Sequence, residues 1–560
     1  MKIKSLLSLI IVLLSCFVLT SCDKTKLSFV EYNSDIKEFD RSLFYGNTEI
    51  MKGADPCMIY VPFEEGNPDS GYYYAYVTGS STIYGWRTKD MTNWQYLDAV
   101  FAPDLDNFWA HSNFWAPGVI YVPFEEGDPD SGYYYMWYSA TWNKYDDFTS
   151  HHIDLARSKS PVGPFVSVNG GKEPLINFEK VPADHPLFEY RDEEDARPNG
   201  YAAAIDAELF IDPQTSQKYL IYTHDLGAGS TGSCTYIMEM KSWIEPDYST
   251  IKWITQTGRT GVGADEVIDE GKVNEGPFML YHDGYYYLTY SVNTYTEPTY
   301  QVRQAVATSP TGPFRKIPVE EGGTVITTDG LNVYTNSSGH HAFIKVGDEY
   351  FISYHTFLND SDISQSRKIK FDKIQFVTNS KGIPVIYTNG PTMTLQPLPS
   401  LISGYENKAL SAEVYADNLT NSDDLYWLND GTVRIHEQSI VGEGSFKDET
   451  KITLKWDDYT SIKSILIYNS YSYFESFTKI DNIKIYFKDG DYEGVAETGT
   501  LYFNYDLFAL EDYKCIIAGS SVAIQFKDLD VNKIEIFISD AKDGNTFNVS
   551  EITVLGKIGE

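Results

Sequence analysis

Residues Ile59–Tyr74 read IYVPFEEGNPDSGYYY, and residues Ile120–Tyr135 read IYVPFEEGDPDSGYYY. The two stretches lie 61 residues apart and differ only at Asn67 against Asp128. Each ends in a tyrosine run that follows a Pro-Asp-Ser-Gly turn, and this pairing of turn and aromatic strand recurs along the chain. Gly71-Tyr-Tyr-Tyr-Ala-Tyr, Gly132-Tyr-Tyr-Tyr-Met-Trp-Tyr, Gln217-Lys-Tyr-Leu-Ile-Tyr, Gly284-Tyr-Tyr-Tyr-Leu-Thr-Tyr and Asp348-Glu-Tyr-Phe-Ile-Ser-Tyr are five versions of one strand. A second element recurs as Ala156-Arg-Ser-Lys-Ser-Pro-Val-Gly-Pro-Phe and Ala305-Val-Ala-Thr-Ser-Pro-Thr-Gly-Pro-Phe, with a degenerate copy from Gly85. Repeated multi-stranded units built around a turn-flanked aromatic strand are the signature of a β-propeller, whose radial closure leaves only short sheet edges. Five copies predict five blades. Helical periodicity is nearly absent, which argues against an α/β barrel.

The propeller pattern runs over residues 46–400. Beyond Pro399 the chain changes to short alternating strands, such as Lys451-Ile-Thr-Leu-Lys-Trp, Ser464-Ile-Leu-Ile-Tyr and Lys533-Ile-Glu-Ile-Phe-Ile, separated by Asn, Asp and Gly turns. Residues 401–560 are therefore expected to form a sandwich of two antiparallel sheets. The fold class is all-β: a five-bladed β-propeller followed by a C-terminal β-sandwich. The closing stretch Phe547-Asn-Val-Ser-Glu-Ile-Thr-Val-Leu resembles the last strand of galactose-binding-like sandwiches. That leaves two readings of the domain, a glycan-binding module and a structural partner for the propeller.

Composition narrows the ligands. With 44 Lys+Arg against 79 Asp+Glu, the net charge of −35 repels phosphate backbones, and no basic stripe overrides it. Nucleic acid is excluded as a partner, and neutral ligands are favoured. Aromatic residues make up 15% of the chain, enough to stock a β core and to offer stacking faces. At the N-terminus, Lys2 and Lys4 precede a short apolar run, Leu6 to Leu19, that ends in Leu19-Thr20-Ser21-Cys22. The run is too short for a bilayer span and reads as an export signal over residues 1–21. The cysteine after small residues resembles a bacterial lipoprotein box, which implies acylation at Cys22, a tether and entry segment over residues 22–45, and a lipid-anchored, exported protein. Cys57, Cys234 and Cys515 have neither disulfide-framework nor zinc-site spacing.

In a propeller the heads of the innermost strands crowd one mouth of the central channel. Three acids fall ahead of the aromatic strands at what read as equivalent repeat positions: Asp55 in Gly53-Ala-Asp-Pro, Asp206 in Ala204-Ile-Asp-Ala-Glu-Leu, and Glu275 in Val273-Asn-Glu-Gly-Pro-Phe. All three sit in apolar or small surroundings, where an unpaired charge is costly. Convergence of three such carboxylates suits a glycosidase, which needs one acid to protonate the leaving oxygen and one carboxylate to activate water.

At these residues the sequence resembles family 43 glycoside hydrolases, which are five-bladed propellers. The resemblance rests on Ala54-Asp-Pro, Trp115-Ala-Pro, Ile205-Asp, Glu275-Gly-Pro, Gly339-His and the run from Arg367, over residues 46 to 395. It implies that Asp55 is the general base, Glu275 the general acid, and Asp206 a third carboxylate that orients the acid and raises its pKa. It further implies an Arg367 that reaches the triad and a channel histidine, His340, associated with Ca²⁺, while Trp115 either stacks on a sugar ring or fills the space between blades. The neighbouring His341 leaves open which of the pair faces the channel. The expected activity is inverting hydrolysis of a neutral plant-type oligosaccharide or polysaccharide, first of all release of terminal α-L-arabinofuranose. β-Xylosidase, endo-arabinanase and galactosidase or galactofuranosidase activities occur on similar scaffolds. The rival of another class is a non-catalytic glycan-binding lipoprotein.

Overall fold

A computed structural model of the protein describes residues 27–31, 39–47, 51–144, 151–177, 180–182, 184–185, 203–225, 233–256, 270, 273–328, 336–357, 367–392, 394–503, 520–539 and 546–559. The export signal, Cys22 and Cys515 lie outside these residues. Among the described residues no helix is long and apolar enough to cross a membrane, and Cys57 and Cys234 are buried free thiols.

Five consecutive antiparallel sheets make the propeller. Blade 1 runs through Cys57–Val61, Tyr72–Val77, Ile83–Thr88 and Gln95–Phe101. Blade 2 is Ala110–Val122, Tyr133–Trp142, His151–Ser158 and Val166–Ser167. Blade 3 is Ala203–Ile211, Lys218–Asp225, Cys234–Glu239 and Lys252–Gln256. Blade 4 is Asn274–His282, Tyr285–Val292, Gln301–Ala307 and Arg315–Lys316, with Thr324–Ile326 added to its third strand. Blade 5 is Asn336–Val346, Glu349–Phe357, Lys368–Thr378 and Pro384–Thr388. The first strand of each blade touches the first strands of both neighbouring blades, so these five line the centre and close a ring.

The repeated aromatic strand is the second strand of each blade, and its composition follows from its position. Successive side chains alternate between faces, and here both faces are covered. In blade 1, Tyr74 and Tyr76 pack toward Val119, Met136 and Tyr138 of blade 2, whereas Tyr73, Ala75 and Val77 pack toward Ile344, Phe351 and Phe371 of blade 5. The same division gives a core between blades 2 and 3 around Trp137, Leu209 and Tyr222. Further cores lie between blades 3 and 4 around Ile221 and Leu288, and between blades 4 and 5 around Tyr287, Phe343 and Tyr354. A strand buried on both faces loses the polar alternation of a surface strand and reads as a continuous apolar run.

The ring is sealed by the chain that enters blade 1. Phe44–Tyr45 pairs with Gln396–Pro397, and the Asn47 amide pairs with blade 5 as a strand would, its Nδ2 donating to the Phe371 carbonyl at 2.9 Å and its Oδ1 accepting from the Phe371 N–H at 3.0 Å. Asp372, wholly buried beside it, accepts from the Tyr354 hydroxyl at 2.7 Å and from the Asn47 amide at 3.2 Å. Burial pushes the Asp372 carboxyl up to about 7.

Apart from a two-stranded pair, Lys479–Ile480 with Leu501–Tyr502, the C-terminal strands form one continuous hydrogen-bonded set. Its path runs Tyr405–Asn407, Phe547–Lys557, Thr450–Asn469, Ser521–Ile538, Asn482–Asp489 and Tyr492–Glu497. The strands of 20 and 18 residues shift register between Lys455 and Thr460 and between Ile462 and Ser464. Such bulges bend a strand, which lets a single strand serve both layers around a core of Ile452, Ile465, Ile534 and Ile552. Val30–Glu31 also pairs with this set, so the entry segment passes from the sandwich to the propeller seam. The two domains meet through the Tyr387 hydroxyl on the Val433 carbonyl at 2.7 Å and through the Asn389 amide, which donates to the Gly431 carbonyl at 2.8 Å and accepts from the Val433 N–H at 3.1 Å.

Asn47→Ala removes the amide that closes the ring and leaves buried strand groups unpaired. Each such group costs about 1–3 kcal/mol, so the unfolding free energy should fall by roughly 2–4 kcal/mol, as measured by denaturant titration. A fall below about 0.5 kcal/mol would show that the seam is held elsewhere.

Candidate active site

The head of every inner strand carries the same irregularity. In blade 3, Ile205 pairs with Thr223 and Glu208 with Ile221, so three steps on the inner strand face two on its partner. Blades 2, 4 and 5 repeat this between Trp115 and Gly118, Glu275 and Phe278, and Gly339 and Ala342. In blade 1 the Thr78 N–H donates to the Ala54 carbonyl at 3.0 Å while Cys57 pairs with Tyr76, which is the same count. The residue at the head of each bulge is left-handed: Asp55 (φ 54°), Ala116 (45°), Asp206 (57°), Gly276 (56°) and His340 (45°). Four of the five are not glycine, although this conformation costs an L-residue roughly 1–2 kcal/mol.

This alignment corrects the equivalence read from the sequence. Asp55 and Asp206 occupy the left-handed position, but Glu275 lies one residue earlier, at the position of Ala54, Trp115, Ile205 and Gly339. The difference has a consequence for where the side chains lie. The left-handed residues line a cavity of about 20 Å³ in the channel, room for about one water, and Glu275 is absent from its lining. Glu275 is half-buried, and its Oε1 accepts from the Tyr300 hydroxyl at 2.7 Å.

Asp55 is 8% exposed and heavily partnered. Its Oδ1 accepts from Arg367 Nη1 at 2.9 Å and lies 3.2 Å from His355 Nδ1 and 3.4 Å from His340 Nδ1. Its Oδ2 accepts from the Thr78 hydroxyl at 2.5 Å. Burial opposes its ionisation, but the Arg367 guanidinium and the hydrogen-bonding neighbours outweigh burial and hold the carboxyl well below the usual range. Burial also keeps His355 neutral, pushed down to about 3, and lowers His340. Arg367 is thus the cation that fixes Asp55 as a carboxylate. The same guanidinium lies over the Tyr295 ring at 4.6 Å.

Asp206, also 8% exposed, accepts from the Gly276 N–H at 3.0 Å. It therefore grips the residue that follows Glu275. The Tyr300 ring stacks on His355 with centroids 5.8 Å apart, so Tyr300 and His355 connect Glu275 to the Asp55 cluster. Two glycines make room for this. A Cβ on Gly339 would stand 2.2 Å from the Tyr300 ring, and one on Gly276 would stand 3.2 Å from the His340 ring. Of the histidine pair, His340 faces the channel and His341 turns away, its Nε2 2.6 Å from the Thr289 hydroxyl. Trp115 is half-buried at the head of blade 2 and stacks on His151 at 4.1 Å. Trp109 and Phe114, the aromatic residues just before Trp115, are buried in the core between blades 1 and 2.

Sequence reading missed His355, Tyr300 and Thr78. The first two lie on second and third strands or the loops that follow them, where nothing in the local pattern separates them from core residues. Thr78 and His355 do occupy matching sites opposite the bulge of their own blades, a signal visible once the register is known.

A calcium ion takes six to eight oxygen ligands. His340 lines the cavity together with Asp55, Asp206 and Glu208, Asp55 being already bound by Arg367 and Thr78, and among the described residues no group of three His, Cys, Asp or Glu side chains is disposed to hold a metal ion.

Comparison with known proteins adds the following. A family model described as "Glycosyl hydrolases family 43" matches residues 52–381. The β-D-galactofuranosidase xynD of Aspergillus niger is 26% identical over 322 residues, which are 55% of this chain and 79% of the relative. A solved thermostable family-43 glycoside hydrolase is 26% identical and covers 63% of this chain and 99% of its own, with a TM-score of 0.47. An α-L-arabinofuranosidase from Lactobacillus brevis is 19% identical, with coverages of 61% and 95% and a TM-score of 0.43.

One carboxyl in the channel has no ion-pair or hydrogen-bond partner among the described residues. Glu208 sits two residues past Asp206, lines the cavity, and is packed so that a Cβ on Gly118 would stand 2.8 Å from its Oε2. Burial alone pushes it up to about 8. A group whose folded pKa is raised binds its proton more tightly in the native state, so stability is full below about 4.5 and is lost as pH rises toward 8. Glu208→Gln removes this proton linkage. Its stability relative to wild type should therefore improve by a few kcal/mol between pH 5 and pH 8, measured by denaturant unfolding at both. A difference that does not change with pH would refute the assignment.

Proposed function

Because the chain belongs to glycosyl hydrolases family 43 and is an inverting glycoside hydrolase, we propose that Asp55, Asp206 and Glu275 are its catalytic carboxylates and that it releases terminal furanose residues, α-L-arabinofuranose first. The observation that carries the role assignment is the ion pair between Arg367 and Asp55 at the mouth. Asp55 is locked ionised by Arg367, as a base that activates water must be. Glu275 accepts a hydrogen bond from the neutral Tyr300 hydroxyl. Inversion needs such a division of labour, with one group protonating the leaving oxygen and the other removing a proton from water on the opposite face. Asp206 supports the acid by holding the Gly276 amide and by placing negative charge nearby, which disfavours ionisation of Glu275. Trp115 would form one aromatic wall of the sugar site.

The relative from Aspergillus niger supports a second reading, β-D-galactofuranosidase. The two sugars share the same ring stereochemistry from C1 to C4 and differ in the exocyclic chain, so one mouth shaped for a furanose ring serves either. The apolar run ending at Cys22 supports a further proposal, that the enzyme is exported and lipid-anchored to a bacterial membrane through that cysteine. Incorporation of labelled palmitate in wild type and its loss in Cys22→Ser would support the anchor; equal labelling would exclude it.

Wild type should hydrolyse p-nitrophenyl α-L-arabinofuranoside faster than the β-D-galactofuranoside or β-D-xyloside, and proton NMR should show the inverted sugar as first product. Asp55→Asn and Glu275→Gln should each lower kcat/KM by at least about a thousandfold on a substrate with a poor leaving group. A good leaving group should rescue only Glu275→Gln. Arg367→Ala should move the acid limb of the pH profile upward, because it removes the charge that depresses Asp55. Equal rescue of both acids, or an unmoved acid limb, would reverse or remove these roles, and a faster galactofuranoside rate would select the second reading.

A further inference from the structure

A cleft of about 660 Å³ opens between the propeller and the sandwich, remote from the catalytic mouth. Its propeller wall is Val319–Glu320, between the strands Arg315–Lys316 and Thr324–Ile326 of blade 4, and Val377–Ser380, at the end of the third strand of blade 5. That strand, Lys368–Thr378, begins next to Arg367 and spans 11 residues. At roughly 3.3 Å per residue, it places the cleft more than about 30 Å from the catalytic carboxylates. Its sandwich wall is Tyr426–Trp427 and Glu437–Ile440.

The chemistry of this lining selects a ligand class. Tyr426 and Trp427 lie ring against ring at 4.1 Å, and Tyr426 is 54% exposed. The Trp427 indole packs so closely that a Cβ on Gly442 would stand 2.3 Å from its Nε1, which fixes the ring in place. Around this aromatic platform stand the carboxylates of Glu320 and Glu437, the Ser380 hydroxyl and the Gln438 amide. Gln438 is itself positioned, because its Oε1 accepts from the Thr324 hydroxyl at 2.9 Å, which leaves the amide nitrogen to point elsewhere. Among the described residues no Lys or Arg lines the cleft, so an anionic ligand would meet negative charge there. Aromatic faces suit the C–H faces of a sugar ring, and carboxylate and amide groups pair with vicinal hydroxyls. The volume is that of a small-ligand site, not of a flat protein interface.

We propose that this interdomain cleft is a second, non-catalytic binding site for a neutral oligosaccharide segment, with Tyr426 and Trp427 as its stacking platform and Glu437 and Gln438 as its hydroxyl partners. The inference rests on the glycan-hydrolysing reading of the propeller. A polymer held at the cleft raises the effective concentration of chain near the mouth, whereas a monosaccharide glycoside gains nothing because it cannot span both sites. The two domains form the site jointly, so it exists only in the full chain.

The test uses full-length protein in a Glu275→Gln background, with linear arabinan, arabinoxylan and β-1,4-galactan as probes in affinity electrophoresis. At least one polymer should retard migration, and adding Tyr426→Ala or Trp427→Ala should weaken that retardation at least tenfold. Tyr426→Ala, at an exposed ring, guards against a folding defect in Trp427→Ala. With Glu275 intact, both substitutions should leave hydrolysis of aryl furanosides within twofold of wild type while lowering polymer hydrolysis at low substrate severalfold. No retardation by any probe, or retardation unchanged in both variants, would overturn the site even if aryl furanosides are cleaved. Absence of glycosidase activity on all substrates would instead refute the underlying reading.

Discussion

At Asp55, Ala116, Asp206, Gly276 and His340 the backbone turns left-handed at the head of an inner strand, and the rest of the active-site mouth hangs on that turn. A regular strand would alternate its side chains between the two blade interfaces. The extra residue of a bulge interrupts the alternation and re-aims one side chain toward the channel axis. Four non-glycine residues in this conformation represent strain of several kcal/mol in sum. The strain is tolerated because both neighbours of each inner strand are themselves packed strands, leaving no room to relax. Asp55 and Asp206 owe their convergence to the bulge. Glu275 owes its different outlook to standing one residue before it.

The packing that holds the bulges is simple in principle. Each second strand is sandwiched between blades, so its odd and even side chains feed different cores, and large aromatics fill the wedge between diverging sheets. Tyr73 and Tyr74 are adjacent in sequence yet belong to opposite interfaces of blade 1. Closure then needs only the entry segment, where the Asn47 amide pairs with Phe371 and the Lys52 backbone bridges Lys368. Because the ring is closed by residues from both ends of the propeller, the carboxylate of blade 1 and the arginine of blade 5 are brought to 2.9 Å.

The electrostatics divide the two acids by what surrounds them. Asp55 is no less buried than Glu208, yet one is held ionised and the other is pushed up to about 8. The difference is Arg367 together with a set of donors at Asp55, against burial without a partner at Glu208. The His340 and His355 imidazoles add hydrogen-bonding capacity without charge, since burial keeps them neutral. One cation placed at one carboxylate therefore establishes an asymmetry that a shared mouth would otherwise lack.

Periodicity by itself determined the blade count, because a strand covered on both faces must repeat its aromatic pattern in every blade. The acidic composition argued against nucleic acid, and the local motifs brought forward Asp55, Asp206, Glu275, Trp115, Arg367 and His340. The one-residue offset of Glu275 was not legible there, since Asp and Glu before small residues look alike until strand register shows which one heads the bulge. His355, Tyr300 and Thr78 were not legible either, because their partners lie 300, 25 and 23 residues away in sequence. The joining of propeller and sandwich into one cleft was likewise invisible to either segment read alone. Short-range sequence specifies strand and turn through local sterics and hydrophobic pattern; which carboxylate carries a charge depends on groups that only ring closure brings within a few ångströms.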